Sequence, residues 1–175
     1  MTKPLITLIT GGCRSGKSTH ALTLAADFKH PVFLATAEAR DEEMRDRVAK
    51  HQIERGERFA TLEEPRHPAR ALRNLPAGTD GVILDCVTVW LSNLFHYHEQ
   101  DPEHAPEIAE LLEVLESPPC PLILVTNEVG TGIVPMNKLA RQFRDRAGAV
   151  NRAIADRAHT VIACICGIPL TLKSE

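Results

Sequence analysis

Gly11, Gly16, Lys17 and Ser18 stand at the spacing G-x-x-x-x-G-K-[ST], inside the stretch LITLITGGCRSGKST (Leu5–Thr19). Each residue type in that pattern meets a separate need of a bound phosphate chain. Glycines let backbone N–H groups turn inward around an anion with no Cβ in the way. A helix opening at Lys17 adds its positive dipole end and its unpaired N–H groups. Lys17 is expected to reach the β- and γ-phosphate oxygens, and Ser18 to hold a magnesium ion. The apolar run Leu5, Ile6, Leu8, Ile9 reads as a buried strand, so the motif has the strand before and helix after that it requires. A chance Gly-rich turn ending in Lys-Ser has no need of such flanks. The stretch handles a nucleoside triphosphate.

Other residues could share that chemistry. Asp85 closes the apolar run Val82-Ile83-Leu84, the form of a carboxylate that completes a magnesium site from a nearby strand. Glu63 and Glu128 leave several roles open: metal or ribose ligand, base for an attacking hydroxyl, or loop carboxylate satisfied by water. Arg47, His51 and Arg55 are four apart, which stacks them on one helix face. A basic face of this kind is either a solvated surface or a nucleophilic site. Imidazole is roughly three-quarters neutral at pH 7 from its ~6.5 reference value, so it attacks phosphorus unaided. Flanking arginines would steady the phosphate charge. His96, His98 and His104 lack a metal-ligand pattern and read as exposed. Cys164 and Cys166, two apart on an apolar strand, are expected to share one face as small core residues, against the alternative of a metal or redox pair.

The elements that position these residues alternate. A helix is predicted from Lys17 to about Phe28, a strand over Val32–Ala37, and a long polar helix from Asp41 to about Arg55, ended by Gly56. Phe59–Leu62 reads as a short strand, Pro68–Leu75 as a weak helix and Val82–Asp85 as a strand, with helix resuming through Trp90, Leu91, Leu94 and Phe95. His96–Pro106 reads as a surface loop, followed by a helix over Glu107–Glu116. Strand Pro121–Thr126 then delivers Asn127-Glu128. The loop VGTGIVP precedes an amphipathic helix from Asn137 to Arg157. A strand at Thr160–Cys166, a turn at Gly167 and a short strand ending near Leu172 close the chain. Strands apolar on both faces, alternating with helices, predict an α/β fold: a doubly wound, mostly parallel sheet between helices. The last pair is short enough for a hairpin, which leaves one antiparallel edge strand. Ligands of such sheets sit beyond the carboxyl ends of the strands, where Gly11–Ser18, Thr36, Glu63, Asp85 and Asn127-Glu128 collect.

At 175 residues a single domain over 1–175 is expected, burying about 70% of its unfolded surface. No repeat or linker divides it. The chain is 43% hydrophobic with a net charge of −3, which offers no electrostatic footprint for nucleic acid or membrane. No run reaches transmembrane length, and the apolar part of MTKPLITLIT is too short for an export signal. Five cysteines without a C-x-x-C pair point to reduced thiols in a cytoplasm.

Several segments in order bear a resemblance to a known family. They are TGGCRSGKS (Thr10–Ser18), ATAEARDEEMRDRVAKHQIERG (Ala35–Gly56), TLEEP (Thr61–Pro65), LDCVTVWLSNL (Leu84–Leu94), TNEVGTGIVP (Thr126–Pro135) and LARQFRDRAGAVNRAIA (Leu139–Ala155). The chain resembles, over nearly its whole length, the bifunctional adenosylcobinamide kinase / adenosylcobinamide-phosphate guanylyltransferases of cobalamin biosynthesis. The phosphate loop is shared with many unrelated proteins, whereas the His51 and TNEVGTGIVP segments are selective. The resemblance implies two reactions: phosphorylation of the adenosylcobinamide hydroxyl with ATP or GTP, then transfer of GMP from GTP onto that phosphate with release of pyrophosphate. It implies that His51, in the pattern D-x-E-M-x-x-R-[IV]-x-x-H matched by Asp41, Glu43, Met44, Arg47, Val48 and His51, carries GMP covalently. Carried over by position, the implied nucleotide contacts are Gly11, Gly12, Cys13, Arg14, Ser15, Gly16, Lys17, Ser18, Ala35, Thr36, Ala37, Gln52, Ile53, Glu54, Arg55, Glu63 and Asp85. Lys17 is implied to be catalytic beside His51, and Ser18 and Asp85 to hold magnesium. A P-loop fold related to the RecA core and a homotrimer are also implied. Cys13 stands where Ala is usual and Phe59 where Trp is usual; Lys50 precedes His51 where some relatives have a second histidine. Cys13, beside an anion nest, is a candidate reactive thiol.

Two rivals make different predictions. A monofunctional kinase for another small hydroxylated metabolite forms no covalent GMP adduct. A GTP-dependent switch reads guanine with Asn-Lys-x-Asp, but the Asn137-Lys138 here is followed by Leu139-Ala140.

Overall fold

The computed structural model describes residues 5–39, 42, 45–46, 49, 52–53, 56–99, 101 and 105–174. Among them, seven strands form one sheet in the order β3-β2-β4-β5-β1-β6-β7. The strands are β1 (Ile6–Gly11), β2 (Pro31–Ala35), β3 (Ala60–Glu63), β4 (Gly81–Asp85), β5 (Leu122–Val125), β6 (Thr160–Ile165) and β7 (Ile168–Ser174). The helices described from end to end are α1 (Lys17–Leu24), α2 (Pro68–Arg73), α3 (Val87–Tyr97), α4 (Pro106–Glu116) and α5 (Lys138–Arg157). The first six strands pair in parallel, and β7 alone runs antiparallel, against β6. That is the predicted doubly wound sheet with an antiparallel edge. Across its carboxyl edge the register sets Glu63, Ala35, Asp85, Val125 and Ile9 in one row.

Alternate residues of the parallel strands face opposite layers, as a period of two requires. Ile6, Leu8, Leu34, Val82, Leu84 and Leu124 pack with Leu72 of α2, Trp90 and Leu94 of α3, Leu111 of α4 and Ile154 of α5. Ile9, Phe33, Ile83, Ile123 and Cys164 face the other way, onto Ala21 of α1, Ala25 and Phe59. Burial on both faces explains the continuous apolar runs in the sequence.

Three local differences from expectation have identifiable causes. First, α1 stops at Leu24 and becomes a 3-10 turn over Ala25–Asp27, instead of reaching Phe28. The Arg58 guanidinium donates to the carbonyls of Ala25, Ala26 and Phe28, satisfying groups that a further helical turn would have paired. The Phe28 ring thereby covers Gly81, where a Cβ would lie 2.3 Å from the ring. Second, Cys164 and Cys166 do not share a face. Cys164 is buried in β6, while Cys166 is exposed with φ 53. With Gly167 at φ 82 it forms the two-residue turn of the β6–β7 hairpin, both residues at positive φ as a type I′ turn demands. Third, His98 is only 20% exposed and pairs with Glu107 at 3.0 Å, whereas His96 is exposed as expected, on the last turn of α3 and not in a loop. His104 lies outside the described residues. Of the polar helix expected over Asp41–Arg55, the described residues Glu42, Arg45, Asp46, Ala49, Gln52 and Ile53 are helical and exposed.

Glu107 explains how α4 is tied to the layer beneath it. Its carboxylate is buried and accepts from Arg66 Nε at 3.0 Å and faces His98 Nε2. Trp90 Nε1 donates to the Arg66 carbonyl at 2.9 Å, so one ion pair joins α3, α4 and the segment before α2. Burial pushes the Glu107 carboxyl up, but its own backbone N–H and the bonds from Arg66 and His98 together hold it below the usual range. A carboxyl depressed by folding contributes stability above its unfolded pKa of ~4.3, lost as pH falls through the lower folded value. Glu107→Gln, which removes the charged acceptor of Arg66 and His98, should cost about 2 kcal/mol near neutrality, and its melting temperature should fall less than the wild type's between about pH 5 and 3. Thermal melts across that range check both.

Candidate active site

The phosphate loop leaves β1 at Gly11, whose φ of 148 and close neighbours allow no side chain: a Cβ would lie 2.3 Å from the Cys164 carbonyl oxygen. Arg14 (φ 54) and Gly16 (φ 91) then take left-handed conformations, the alternation that turns successive N–H groups into one concavity. Gly16 is the N-cap of α1, and no side chain caps that helix. Its first N–H groups are therefore free of side-chain competition for an anion. The loop is braced from behind by the β6–β7 hairpin. Gly167 N–H donates to the Ser15 carbonyl at 3.1 Å, and a Cβ on Gly16 would lie 3.2 Å from Gly167 Cα.

Lys17 is buried, and its Nζ donates to the Gly12 carbonyl at 2.5 Å and to Ser15 Oγ at 3.3 Å. Burial lowers its pKa, and the nearby Asp85 charge opposes that. An arriving triphosphate would add negative charge and favour the ammonium. Ser18 Oγ donates to Asp85 Oδ2 at 2.7 Å. This contact, across 67 residues of sequence, brings the hydroxyl of the loop and the carboxylate of β4 to one point. Two hard oxygen donors beside a phosphate loop suit magnesium, which takes one or two protein ligands and completes its shell with phosphates and water. No cluster of three or more His, Cys, Asp or Glu side chains that could hold a metal occurs among the described residues.

Asp85 is fixed by the chain that follows it. Cys86 N–H donates to Thr36 Oγ1 at 2.9 Å, and that hydroxyl donates to the Cys86 carbonyl at 2.8 Å. Thr36 is fully buried, so its hydroxyl positions the end of β4. Asn93 of α3 closes the arrangement by donating to the carbonyls of Thr36 and Pro65. Burial pushes the Cys86 thiol up to about 12, and its sulfur accepts from Val89 N–H as the cap of α3. It is a neutral structural thiol.

A second polar chain lies beyond β5. Thr10 Oγ1 donates to Glu128 Oε1 at 2.9 Å, and Asn151 Nδ2 reaches the same oxygen at 3.3 Å. Asn151 is held in turn by Thr126 Oγ1 at 2.7 Å, and Thr126 meets Thr88 at 3.1 Å. Asn127 N–H donates to Thr88 Oγ1 and Glu128 N–H to the Gly11 carbonyl. Thr10, Thr88, Thr126 and Asn151 carry no motif of their own in the sequence; their only signal is that they are small polar residues.

The remaining candidates are spread along the same edge. Gly12, Cys13 and Arg14 are exposed on the loop, and Ser15 is buried. Ala35 and Ala37 are half-buried at the end of β2, and Glu63 is exposed at the end of β3. Gln52 and Ile53 are exposed. His51, Glu54 and Arg55 lie outside the described residues. Asn137 caps α5 by accepting from the N–H groups of Leu139 and Ala140, which commits it to the helix and not to reading guanine.

Comparison with known proteins agrees with this geometry. The family model described as cobinamide kinase / cobinamide phosphate guanyltransferase matches residues 7–172. The bifunctional adenosylcobalamin biosynthesis protein CobP of Pseudomonas aeruginosa is 42% identical, over 96% of this chain and 97% of its own. The protein of the same description, CobU, from Salmonella typhimurium is 38% identical over 97% of this chain and 100% of its own. Among solved structures, an ATPase of a bacterial type III secretion system superposes with TM-score 0.55 at 14% identity, covering 92% of this chain and 51% of that one. The RadB recombinase does so with TM-score 0.51 at 18% identity, covering 92% and 74%. These likenesses establish a P-loop NTPase fold. The chain belongs to the cobinamide kinase / cobinamide phosphate guanyltransferase family and is a bifunctional enzyme of cobalamin biosynthesis.

Proposed function

We propose that both half-reactions use a nucleotide whose phosphates lie in the Gly11–Ser18 loop, and that GMP passes through a covalent bond to His51. The observation that carries the first part is the Ser18–Asp85 contact at 2.7 Å beside the uncapped start of α1. The second rests on the sequence pattern Asp41, Glu43, Met44, Arg47, Val48, His51. Strand spacing supports the orientation of the nucleotide. Glu63 lies four strands from β1, roughly 19 Å along the edge, which leaves room for sugar and base between the loop and Glu63.

In phosphorylation the loop N–H groups and Lys17 hold the triphosphate of ATP or GTP while the substrate hydroxyl attacks the γ-phosphorus. In transfer, neutral His51 attacks the α-phosphorus of GTP in line and pyrophosphate leaves from the gripped side. The phosphate of the phosphorylated cobinamide then displaces the histidine, giving adenosylcobinamide-GDP. Magnesium, held by Ser18 and Asp85, would offset the charge of the phosphates. All five cysteines are free, which suits a reducing cytoplasm. No helix among the described residues is long and apolar enough to cross a membrane. On β7, Ile168, Leu170 and Leu172 are 68%, 55% and 60% exposed; association into the homotrimer implied by the family resemblance would cover such a surface. The chain is proposed to work as one nucleotide-binding domain.

Asp85→Asn tests the shared site. It keeps a hydrogen-bonding partner for Ser18 and removes the charge. The magnesium concentration that half-saturates each half-reaction should rise about 10–100-fold. An unchanged requirement in both would remove Asp85 from the metal site.

A further inference from the structure

Two carboxylates in this fold are held in contrasting ways. Glu107 is buried and meets a guanidinium and an imidazole. Such pairing is what a structural carboxylate requires. Glu128 is exposed at the carboxyl end of β5 and meets no cation among the described residues. Its Oε1 accepts from two neutral donors, Thr10 and Asn151, and its N–H binds the carbonyl of Gly11, the first residue of the phosphate loop. No hydrogen bond reaches Oε2 among the described residues. β5 lies between β4, which carries Asp85, and β1, which carries the loop. One carboxylate oxygen is thus clamped by the frame of the sheet, and the other remains available beside the site that grips the triphosphate.

The two half-reactions differ in their need for a base. A substrate hydroxyl must lose a proton as it becomes a phosphate ester. A neutral imidazole has no proton on its attacking nitrogen, and a phosphate acceptor is already anionic. We propose that Glu128 is a catalytic residue of the phosphorylation half-reaction alone, its Oε2 accepting the proton of the attacking hydroxyl. The bond from the substrate's hydroxyl oxygen to the γ-phosphorus forms, and the bond from the γ-phosphorus to the β–γ bridging oxygen breaks. The nucleoside diphosphate leaves with that electron pair, and the proton passes from Oε2 to water. Thr10 and Asn151 act as positioning residues through Oε1.

Glu128→Gln is the direct test, because the amide oxygen can still accept from Thr10 and Asn151. Phosphorylation kcat should fall about 100-fold or more with KM little changed. GMP transfer to substrate already carrying its phosphate should stay within about twofold, and the melting temperature should hold. The acidic limb of the wild-type phosphorylation kcat against pH should disappear. Glu128→Asp, a carboxylate one methylene shorter, should keep that limb at reduced kcat and serves if the glutamine variant does not fold. Equal loss of both half-reactions, or a phosphorylation rate recovered by more magnesium, would overturn the assignment. So would phosphorylation within about threefold of wild type. Wild-type activity in both assays is the internal control: its absence would count against the shared-site reading, not against Glu128.

Discussion

Lys17→Ala is expected to lower both half-reactions by about 10²–10³-fold, the cost of losing one preorganised charge at a site of developing negative charge. The reason lies in how the ammonium is placed. Lys17 is buried, its Nζ within hydrogen-bond reach of Gly12 and Ser15 inside the loop. On the proposed reading it serves whichever phosphorus is attacked. In phosphorylation the leaving group is a diphosphate, and in transfer it is pyrophosphate; both departing groups are the gripped ones. Burial lowers the lysine pKa in the free protein, and the negative charge of an arriving nucleotide favours the ammonium. Lys17→Arg should not rescue, because a planar guanidinium does not replace a point charge in a space shaped for the ammonium. Steady-state kinetics of each half-reaction measure the effect. Retention of either within about tenfold of wild type would mean that the loop serves only one of them.

His51→Ala is expected to separate the reactions. GMP transfer should fall about 10⁴-fold or more, the order seen when a covalent nucleophile is removed, and phosphorylation should stay near wild type. The physical basis is that hydroxyl attack on the γ-phosphorus needs no protein nucleophile. Transfer through histidine, by contrast, splits one displacement into two, each with a good leaving group. Together with Glu128→Gln this gives a double dissociation: one variant loses transfer, the other phosphorylation. A His51→Ala enzyme that still made adenosylcobinamide-GDP at the normal rate would require direct displacement on GTP, with no covalent carrier.

The legible parts of this protein are those encoded locally. Gly11, Gly16, Lys17 and Ser18 could be read as a phosphate loop because eight contiguous residues contain all the chemistry. Asp85 was legible because an apolar strand that ends in a carboxylate delivers it to the edge where ligands bind. The strand order follows less directly, but continuous apolar runs between helices already required a parallel sheet. Contacts that depend on register were out of reach. Glu128 meets Thr10 across 118 residues, and the hairpin turn at Gly167 braces Ser15; neither pairing leaves a local pattern. The bonds between the Thr36 hydroxyl and the Cys86 backbone likewise join two strand ends 50 residues apart and leave no local pattern. Cys166 leaves the face that its spacing from Cys164 predicts, because periodicity does not see where a strand yields to a turn of positive φ. His98 is covered where a loop histidine would be exposed, because its partner Glu107 belongs to the next helix. His51 is different again: its spacing with arginines left two roles open, and only the family pattern favours the nucleophile.

The most direct measurement is to incubate the purified enzyme, without corrinoid, with GTP labelled in turn at the α- and the γ-phosphate, and to follow protein-bound label. Stable labelling is expected from the α-position only, acid-labile and alkali-stable as a P–N bond should be, in the peptide that contains His51, and chased off by phosphorylated cobinamide. No covalent label from α-labelled GTP, or label on a residue other than His51, would contradict the assignment of His51 as carrier.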